Sequence, residues 1–462
     1  MVHHCKIILP LLIIFLWLNF ISTQDGGHNA MSRFATLHAL TQDHTLNIDK
    51  YVDYTVDWAK SKSNGHSYSN KAPGAVFLAL PVYFVVDGAE RFFRAVVYKN
   101  EPYPLPGYFR KTLTSYLVQV IPFTLLAIVG WNLLLEMGTP LAGAFFFLLA
   151  FLFGNTSAIL MNSFFGHGLA AMLFFSGILA LQRKDFGFVG FFLGFAALTD
   201  YGGVPLSLIF IAGYFWGLHR EHPERFFPLL PRHCLRLILG ALLPATLWIS
   251  YHTLAFGSPF ALPMSQLSPV FIEAKHAESA LWGVIGLIPD PKILYEILLG
   301  NHRGILVSQP WILLAVVLLP ALSSRNRIHV PLVVCTSLSF LLLLYMNTSF
   351  EGWHGGAAPG PRYLSMIFPL YAYLVAIYWK FIPPSVQRLL WITLGIALIF
   401  RLLVSTGSIL CPQEENLWGY FWRGITQVRR GSELGKLLAI GLVSLILGAF
   451  SYRNLRSTGQ LR

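Results

Sequence analysis

Charged residues are scarce in this chain of 462 residues. Only 12% of the residues are charged, whereas a soluble domain carries about 25%. The shortage extends along the whole length, and 55% of the residues are hydrophobic. Such a surface is expected to face lipid rather than water. The composition therefore predicts a multi-pass integral membrane protein, with residues 1–462 forming a single transmembrane catalytic domain.

Cysteines are also few, and the four that are present are scattered along the chain. Their spacing predicts neither a disulfide framework nor a zinc site. A Gly-rich phosphate loop ending in Lys-Ser or Lys-Thr is missing as well, so nothing supports direct use of ATP or a sugar nucleotide. We expect no cofactor, and no residue pattern indicates a divalent metal, although the chemistry considered below is compatible with one.

Negative charge is in short supply, which leaves a net charge of +12. The basic residues lie at the ends of apolar runs, as the retention of Lys and Arg on the cytoplasmic side predicts. Nucleic-acid binding is therefore not expected, and both termini are predicted to be cytoplasmic. The short basic links assigned to the cytoplasm are Arg183–Asp185, His219–Arg236, Ser323–His329, Tyr378–Arg388 and the tail Tyr452–Arg462.

Apolar runs long enough to cross a bilayer predict an all-α bundle of roughly 11–14 transmembrane helices. The first run, Ile7–Ile21, is interpreted as an uncleaved span rather than a signal peptide, because no small-x-small cleavage site follows it. The region Leu141–Leu181 is interrupted near Asn155, and whether it crosses once or three times stays open. The other predicted spans are Ala75–Val86, Thr112–Leu135, Phe186–Leu198, Val204–Leu218, Leu237–Leu254, Ile305–Leu322, Val330–Tyr345, Tyr363–Tyr378, Leu389–Leu403 and Leu437–Phe450.

The outer segments are long and rich in Gly, Pro, Trp, Tyr, His and acidic residues, whereas the inner links are short. Loops of this composition on a rigid scaffold commonly carry function. We therefore place the active site on the non-cytoplasmic face. The outer segments are the first loop at 22–73, a corner at Asp200, a second large loop at 255–303, a Gly-rich loop at 347–362, and Ser405–Leu434.

The first outer loop holds the candidate catalytic acids. Asp25 and Asp57 are carboxylates at the membrane surface, where a carboxylate can accept a proton from an attacking hydroxyl. Lys71 lies where the chain is predicted to re-enter the bilayer, and its ammonium group can hold a phosphate as a point charge. The alternative is that these acids are ordinary solvated loop residues.

A second group of candidates follows the later outer segments. Arg362 begins a predicted span behind a loop with four glycines and two prolines, and a guanidinium there can grip a lipid phosphate; the alternative is an interfacial anchor. Asp200, between two apolar runs, is costly unless it faces a cavity or a partner, although a tight turn also explains it. Arg303 is a second candidate phosphate ligand. His167 is interpreted as a packed interfacial residue.

Three motifs occur in the same order as in a known superfamily. Asn29, Arg33 and Asp57 precede the stretch Gly-His-Ser-Tyr-Ser-Asn-Lys-Ala-Pro-Gly at 65–74. The second motif is Arg-Gly-Ile-Leu-Val-Ser-Gln-Pro at 303–310, and the third runs from Trp353 to Tyr363. Over most of its length the chain resembles the GT-C glycosyltransferases. It is similar in plan to protein O-mannosyltransferases and lipid A aminoarabinose transferases, and most similar to bacterial members whose acceptor is unassigned.

This resemblance implies a GT-C helix bundle and inverting transfer of a hexose or pentose. The donor would be a polyprenyl-phosphate sugar, and the acceptor a lipid, glycan or protein at the periplasmic face of a bacterial inner membrane. It implies Asp57 or Asp25 as the catalytic acid, with preference for Asp57 because Gly26 departs from the usual Asp-Glu pair. The implied phosphate ligands are Lys71, Arg362 and Arg303. The implied substrate-binding residues are Asn29, Arg33, Tyr68, Asp200, Trp353, His354 and Tyr363.

Two other functions fit the same outward-facing residues. A transporter or lipid flippase uses similar cations, but transporters often show internal repeats, and none is visible in this sequence. A polysaccharide ligase or polymerase also acts on lipid-linked sugars. It would be expected to carry one dominant late outer loop, whereas the first loop here is as long as any other. The sequence therefore favours a glycosyltransferase.

Overall fold

A computed structural model describes residues 2–21, 27–93, 107–221, 223–266, 286–301, 303–325, 327–350, 352–356 and 360–407, together with residues 96, 268, 358, 419 and 422. Asp25, the predicted span Leu437–Phe450 and part of the second large loop lie outside this set. The described part is mostly helical. Four of its helices are long and apolar enough to cross a membrane: Phe109–Glu136, Phe226–Phe256, Val330–Thr348 and Pro384–Ser405. This agrees with the predicted helical membrane protein.

Several of the helices are joined by short connections, as is usual in a bundle. In chain order they are α1 (Val2–Ile21), α2 (Gly27–His38), α3 (Gly74–Phe93), α4 (Tyr108–Ser115), α5 (Ile121–Glu136), α6 (Leu141–Leu152), α7 (Thr156–Ile159), α8 (Gly166–Gln182), α9 (Phe186–Thr199), α10 (Gly203–Glu221), α11 (Pro223–Phe256), α12 (Pro291–Leu298), α13 (Ile305–Ser308), α14 (Trp311–Leu322), α15 (Val330–Thr348), α16 (Phe368–Ile377) and α17 (Pro384–Gly407). A π-turn at Tyr116–Val120 joins α4 to α5, and a 3₁₀ helix, Arg362–Ile367, leads into α16.

Helix α1 is antiparallel to the continuous helix α4–α5. The Phe20 ring lies 6.1 Å from Tyr116, and the Phe15 ring lies 5.8 Å from Phe123, further along the second helix. The end of α1 and the beginning of α4 are therefore at the same end of the bundle. The chain between them, residues 22–107, returns to the side that it left.

Helix α3 is not one of the four helices that are long and apolar enough to cross a membrane, so the structure does not support the predicted span Ala75–Val86. Asp87, Glu90 and Arg91 occupy its second half, and charged side chains are costly within the hydrocarbon core. Its aromatic Tyr83 still packs on Phe34 of the first loop, with ring centroids 6.3 Å apart. The first outer segment consequently extends beyond Pro73, and α3 lies along α2 at the end of the bundle where α1 ends.

The interrupted region 141–181 leaves one side of the bundle and comes back to it. Arg183 Nη2 lies 3.8 Å from Glu136 Oε2, so the residues that flank the region meet. Between them α6 ends at Leu152, and α8 begins at Gly166 after the short α7. The region is an outward and a returning segment, so neither of the two alternatives, one crossing or three, is correct.

Among the described residues, the strands form one small hairpin in the first loop. Strand β1 (Trp58–Lys60) pairs antiparallel with β2 (Ser67–Ser69), with Trp58 opposite Ser69. Gly65, at φ +77°, supplies the left-handed conformation that the turn between them requires. The hairpin places the residues just before β1 beside those just after β2, which positions the site described below.

The side on which α3 ends can be tested by cysteine labelling. We expect Lys62→Cys and Ala89→Cys, at exposed positions on either side of the first half of α3, to react with a membrane-impermeant maleimide from the same side. The background would be a chain whose native cysteines are replaced by alanine. Arg325→Cys, in a predicted cytoplasmic link, should react only after the membrane is permeabilised. Labelling of Ala89→Cys together with Arg325→Cys, rather than with Lys62→Cys, would contradict the arrangement.

Candidate active site

The hairpin brings Asp57 and Lys71 together. Asn70 N donates to Asp57 O at 3.3 Å, which extends the strand pairing by one residue beyond Trp58 and Ser69. Ser32 Oγ of α2 also donates to Asp57 O, at 2.5 Å. The side chains then meet, with Lys71 Nζ 3.0 Å from Asp57 Oδ1. Two residues fourteen positions apart in the sequence thus form a largely buried ion pair.

Arg33 extends from the buried face of α2 and is only 4% exposed. Its Nη1 donates to both the backbone and the side-chain oxygen of Asn29, one turn earlier. Gly166 makes room for the guanidinium, since a Cβ added there would lie 2.6 Å from Arg33 Nη2. Burial lowers the pKa of Arg33 to about 10 against the opposing effect of Asp57, and Arg362 lowers it further.

Arg362 begins the 3₁₀ helix and lies between two aromatic rings. Its guanidinium carbon is 5.4 Å from the Phe165 ring centroid and 5.0 Å from that of Tyr363, and Nη2 donates to the Tyr363 hydroxyl at 3.2 Å. Gly355, at φ +68°, covers it closely, because a Cβ there would lie 2.7 Å from Arg362 Nε. This buried Nε has no hydrogen-bond partner among the described residues.

Asp200 ends α9 and pairs with His167 at the beginning of α8. His167 Nδ1 lies 2.6 Å from Asp200 Oδ2, and Gly202 N donates to Asp200 Oδ1 at 3.1 Å. The imidazole meets the Tyr363 ring edge-on, with centroids 5.2 Å apart. Burial raises the pKa of Asp200, but His167, the Gly202 N–H group and Arg33 together lower it more, so it lies below its usual value.

Electrostatic interactions join these groups into one cluster. Burial lowers the pKa of Lys71 more than the Asp57 carboxylate raises it, and Arg362 and Arg33 lower it further. Arg33 interacts with Asp57, Arg362 and Asp200. Counting the described residues alone, the cluster contains three cations and two carboxylates, with one more positive charge than negative. An anion bound among the three cations would relieve their mutual repulsion.

Other predicted site residues have mainly structural contacts. Arg303, 1% exposed, donates through Nε to His354 O at 3.1 Å and through Nη2 to Gly356 O at 2.9 Å. Its described hydrogen bonds thus hold the Gly-rich loop. His354 Nδ1 accepts from Gly356 N at 3.0 Å, which closes a turn in that loop, and half-buried Trp353 packs against the main core.

Tyr68 lies in a separate apolar cluster. Its ring centroid is 5.5 Å from that of Phe256, and its hydroxyl accepts from Asn64 Nδ2 at 3.0 Å. Neither of these contacts involves the cations described above. Asp25, the alternative catalytic acid, lies outside the described residues. Within the described ranges, no group of three or more His, Cys, Asp and Glu side chains is placed to hold a metal ion.

His167 is the site residue that the sequence interpretation missed. The sequence favours a packing role for His167, yet α8 and α9 are antiparallel neighbours joined by a short link. The beginning of one such helix must lie beside the end of the other, so His167 and Asp200 are brought together although 33 residues separate them. The tight link Arg183–Asp185 was the signal that predicts this pairing.

No family model, curated protein or solved structure matches this chain. The resemblance to GT-C glycosyltransferases therefore stays a prediction from its motifs.

Proposed function

We propose that this protein is a GT-C type membrane glycosyltransferase that moves a sugar from a polyprenyl-phosphate donor to a lipid, glycan or protein acceptor. One observation carries the proposal. Arg33, Lys71 and Arg362, from three separate segments, converge beside the carboxylates of Asp57 and Asp200. Cations hold a phosphate, and polar groups that accept hydrogen bonds hold a hydroxyl, so such a cluster can receive both substrates of a sugar transfer.

The net charge of the cluster suits a phosphodiester. A polyprenyl-phosphate sugar carries one negative charge, which equals the surplus positive charge of the cluster. When the glycosidic bond breaks, the leaving phosphate gains a second negative charge. Pre-positioned cations that meet a developing charge stabilise the transition state more than the ground state. Arg362, whose buried Nε has no described partner, is the group that we assign to this added charge.

Asp57 is the carboxylate that we assign to the acceptor. One of its oxygens is held by Lys71 at 3.0 Å, and a carboxylate has several acceptor positions. It can therefore hold Lys71 towards the phosphate and receive a hydrogen bond from the acceptor hydroxyl. This arrangement keeps nucleophile and leaving group close to one another, which lowers the entropic part of the barrier.

The test is sugar transfer by the purified full-length chain. Radiolabelled polyprenyl-phosphate hexoses would be incubated with the protein and a membrane extract as the source of acceptor. We expect transfer by the parent, loss of about 10²-fold or more in Asp57→Asn, and retention in Asp25→Asn. Absence of transfer from every donor by a well-folded parent would overturn the proposal and favour a transporter or flippase of lipid-linked or anionic substrates.

The same assay has a matched pair of glycine variants. Gly355→Ala places a Cβ against Arg362 and requires an unfavourable positive φ, so the guanidinium must shift. Gly395→Ala, in α17, meets nothing within 4 Å and should leave transfer unchanged. A displacement of about 1 Å can reduce a reaction rate about 10²-fold, and we expect a loss approaching this size in Gly355→Ala alone. Equal activity of the two variants would mean that the Gly-rich loop does not position Arg362 for catalysis.

A further inference from the structure

Besides the pair of Asp57 and Lys71, the cluster contains a pair formed by a carboxylate and an imidazole, and its chemistry differs. His167 Nδ1 and Asp200 Oδ2 are 2.6 Å apart. Asp200 is itself fixed, because its other oxygen accepts from Gly202 N. A carboxylate that binds one ring nitrogen of a histidine selects the tautomer with the proton on that nitrogen. The lone pair is then on His167 Nε2, where it can accept a proton.

The pair is also accessible. The His167 side chain is 14% exposed and that of Asp200 22%, compared with 8% for Asp57. Asp57 has one oxygen occupied by the Lys71 ammonium group. A neutral imidazole supported by a carboxylate is the more effective proton acceptor near neutral pH. The charged and titratable groups around it are Asp200 after α9, Arg33 from α2, and Arg362 and Tyr363 from the 3₁₀ helix.

We infer that His167, positioned by Asp200, is the general base of the transfer, while Asp57 orients the acceptor. This inference rests on the proposed function and assigns the proton-transfer step within it. The acceptor oxygen forms a bond to the anomeric carbon, and its proton moves to His167 Nε2. The bond between that carbon and the phosphate oxygen breaks, and its electron pair leaves with the polyprenyl phosphate. The imidazolium afterwards releases its proton to water.

The experiment measures kcat/KM against pH for transfer from a radiolabelled polyprenyl-phosphate hexose to a membrane extract. The parent should lose activity as the pH falls and the imidazole of His167 becomes protonated. His167→Gln should be about 10²-fold slower or more and should lack this acidic limb. Its donor KM should change little, since the three cations remain.

Asp200→Asn tests the positioning role. Without the carboxylate the imidazolium is less stable, so the acidic limb should move to lower pH while the rate falls less than in His167→Gln. Added imidazole should partly restore His167→Ala, which a merely structural histidine would not allow.

An acidic limb that persists in His167→Gln, or a rate within about threefold of the parent, would overturn the assignment and leave the glycosyltransferase proposal standing. Absence of transfer by the parent would instead remove the proposed function, and this inference with it.

Discussion

Replacing Arg362 with alanine is expected to reduce sugar transfer by about 10³-fold. A cation that meets the charge gained by a leaving phosphate contributes about 10³-fold or more to the rate in other phosphate-transfer sites, and one lost donor at an oxyanion costs about 10²–10³-fold. Arg362 has few other tasks among the described residues, since its hydrogen bond goes to Tyr363 and its faces stack on two rings. The measurement is kcat/KM for the labelled donor.

Two control variants separate charge and geometry from folding. Arg362→Lys keeps the positive charge but loses the planar fork of donors, and we expect an intermediate loss of about 10-fold to 10²-fold. Arg220→Ala removes an arginine that stacks 6.0 Å from the Trp216 ring centroid, and it should transfer at the rate of the parent. If Arg362→Ala stayed within about threefold of the parent while eluting as a folded protein, Arg362 would not be a phosphate ligand.

Much of the candidate site follows from the sequence because charged residues in an apolar chain are few and conspicuous. Arg33, Asp57, Lys71, Asp200 and Arg362 were all predicted, and the structure brings them together. Their convergence depends on long-range contacts that residue types do not encode. The hairpin register decides that Lys71 meets Asp57, and helix pairing decides that His167 meets Asp200.

Arg303 shows what residue type leaves open. Its type and its position at the outer end of a predicted span predict a phosphate ligand, and the structure shows two of its donors bound to loop carbonyls. A sequence shows that a guanidinium needs acceptors but does not show which acceptors lie near it.

The helical fold followed from hydropathy, but the path of α3 did not. A run such as Ala75–Val86 is equally apolar whether it crosses the bilayer or lies along a neighbouring helix. The side chains that contact the helix decide between these two positions. Here Gln42 Nε2 donates to Asp87 Oδ2 at 2.7 Å. This contact ties the second half of α3 to the first loop. The acids in that half were the available signal, because they need buried partners wherever they lie.

Replacing Arg110 with methionine is expected to destabilise the fold by about 3–5 kcal/mol, the usual cost of removing one partner from a buried ion pair. Arg110 is 1% exposed in its side chain, binds Asp87, and places Nε 2.7 Å from Glu90 Oε2. Without it the buried carboxylates of Asp87 and Glu90 lose the most deeply buried cation that they share. The apparent melting temperature of the detergent-solubilised protein should therefore fall by several degrees.

Arg91→Met supplies the matched control for this effect. Arg91 Nε also lies 3.0 Å from Asp87 Oδ2, but its side chain is 39% exposed, and ion pairs open to solvent contribute about 0–1 kcal/mol. Adding Glu90→Gln to Arg110→Met should recover part of the loss, because one of the two buried carboxylates that Arg110 binds is neutralised. If Arg91→Met and Arg110→Met lowered the melting temperature equally, the burial of Arg110 would not explain how its ion pairs stabilise the fold. The Arg110 ion pairs would then not be what holds α3 against α4 and keeps Lys71, just before the beginning of α3, beside Asp57.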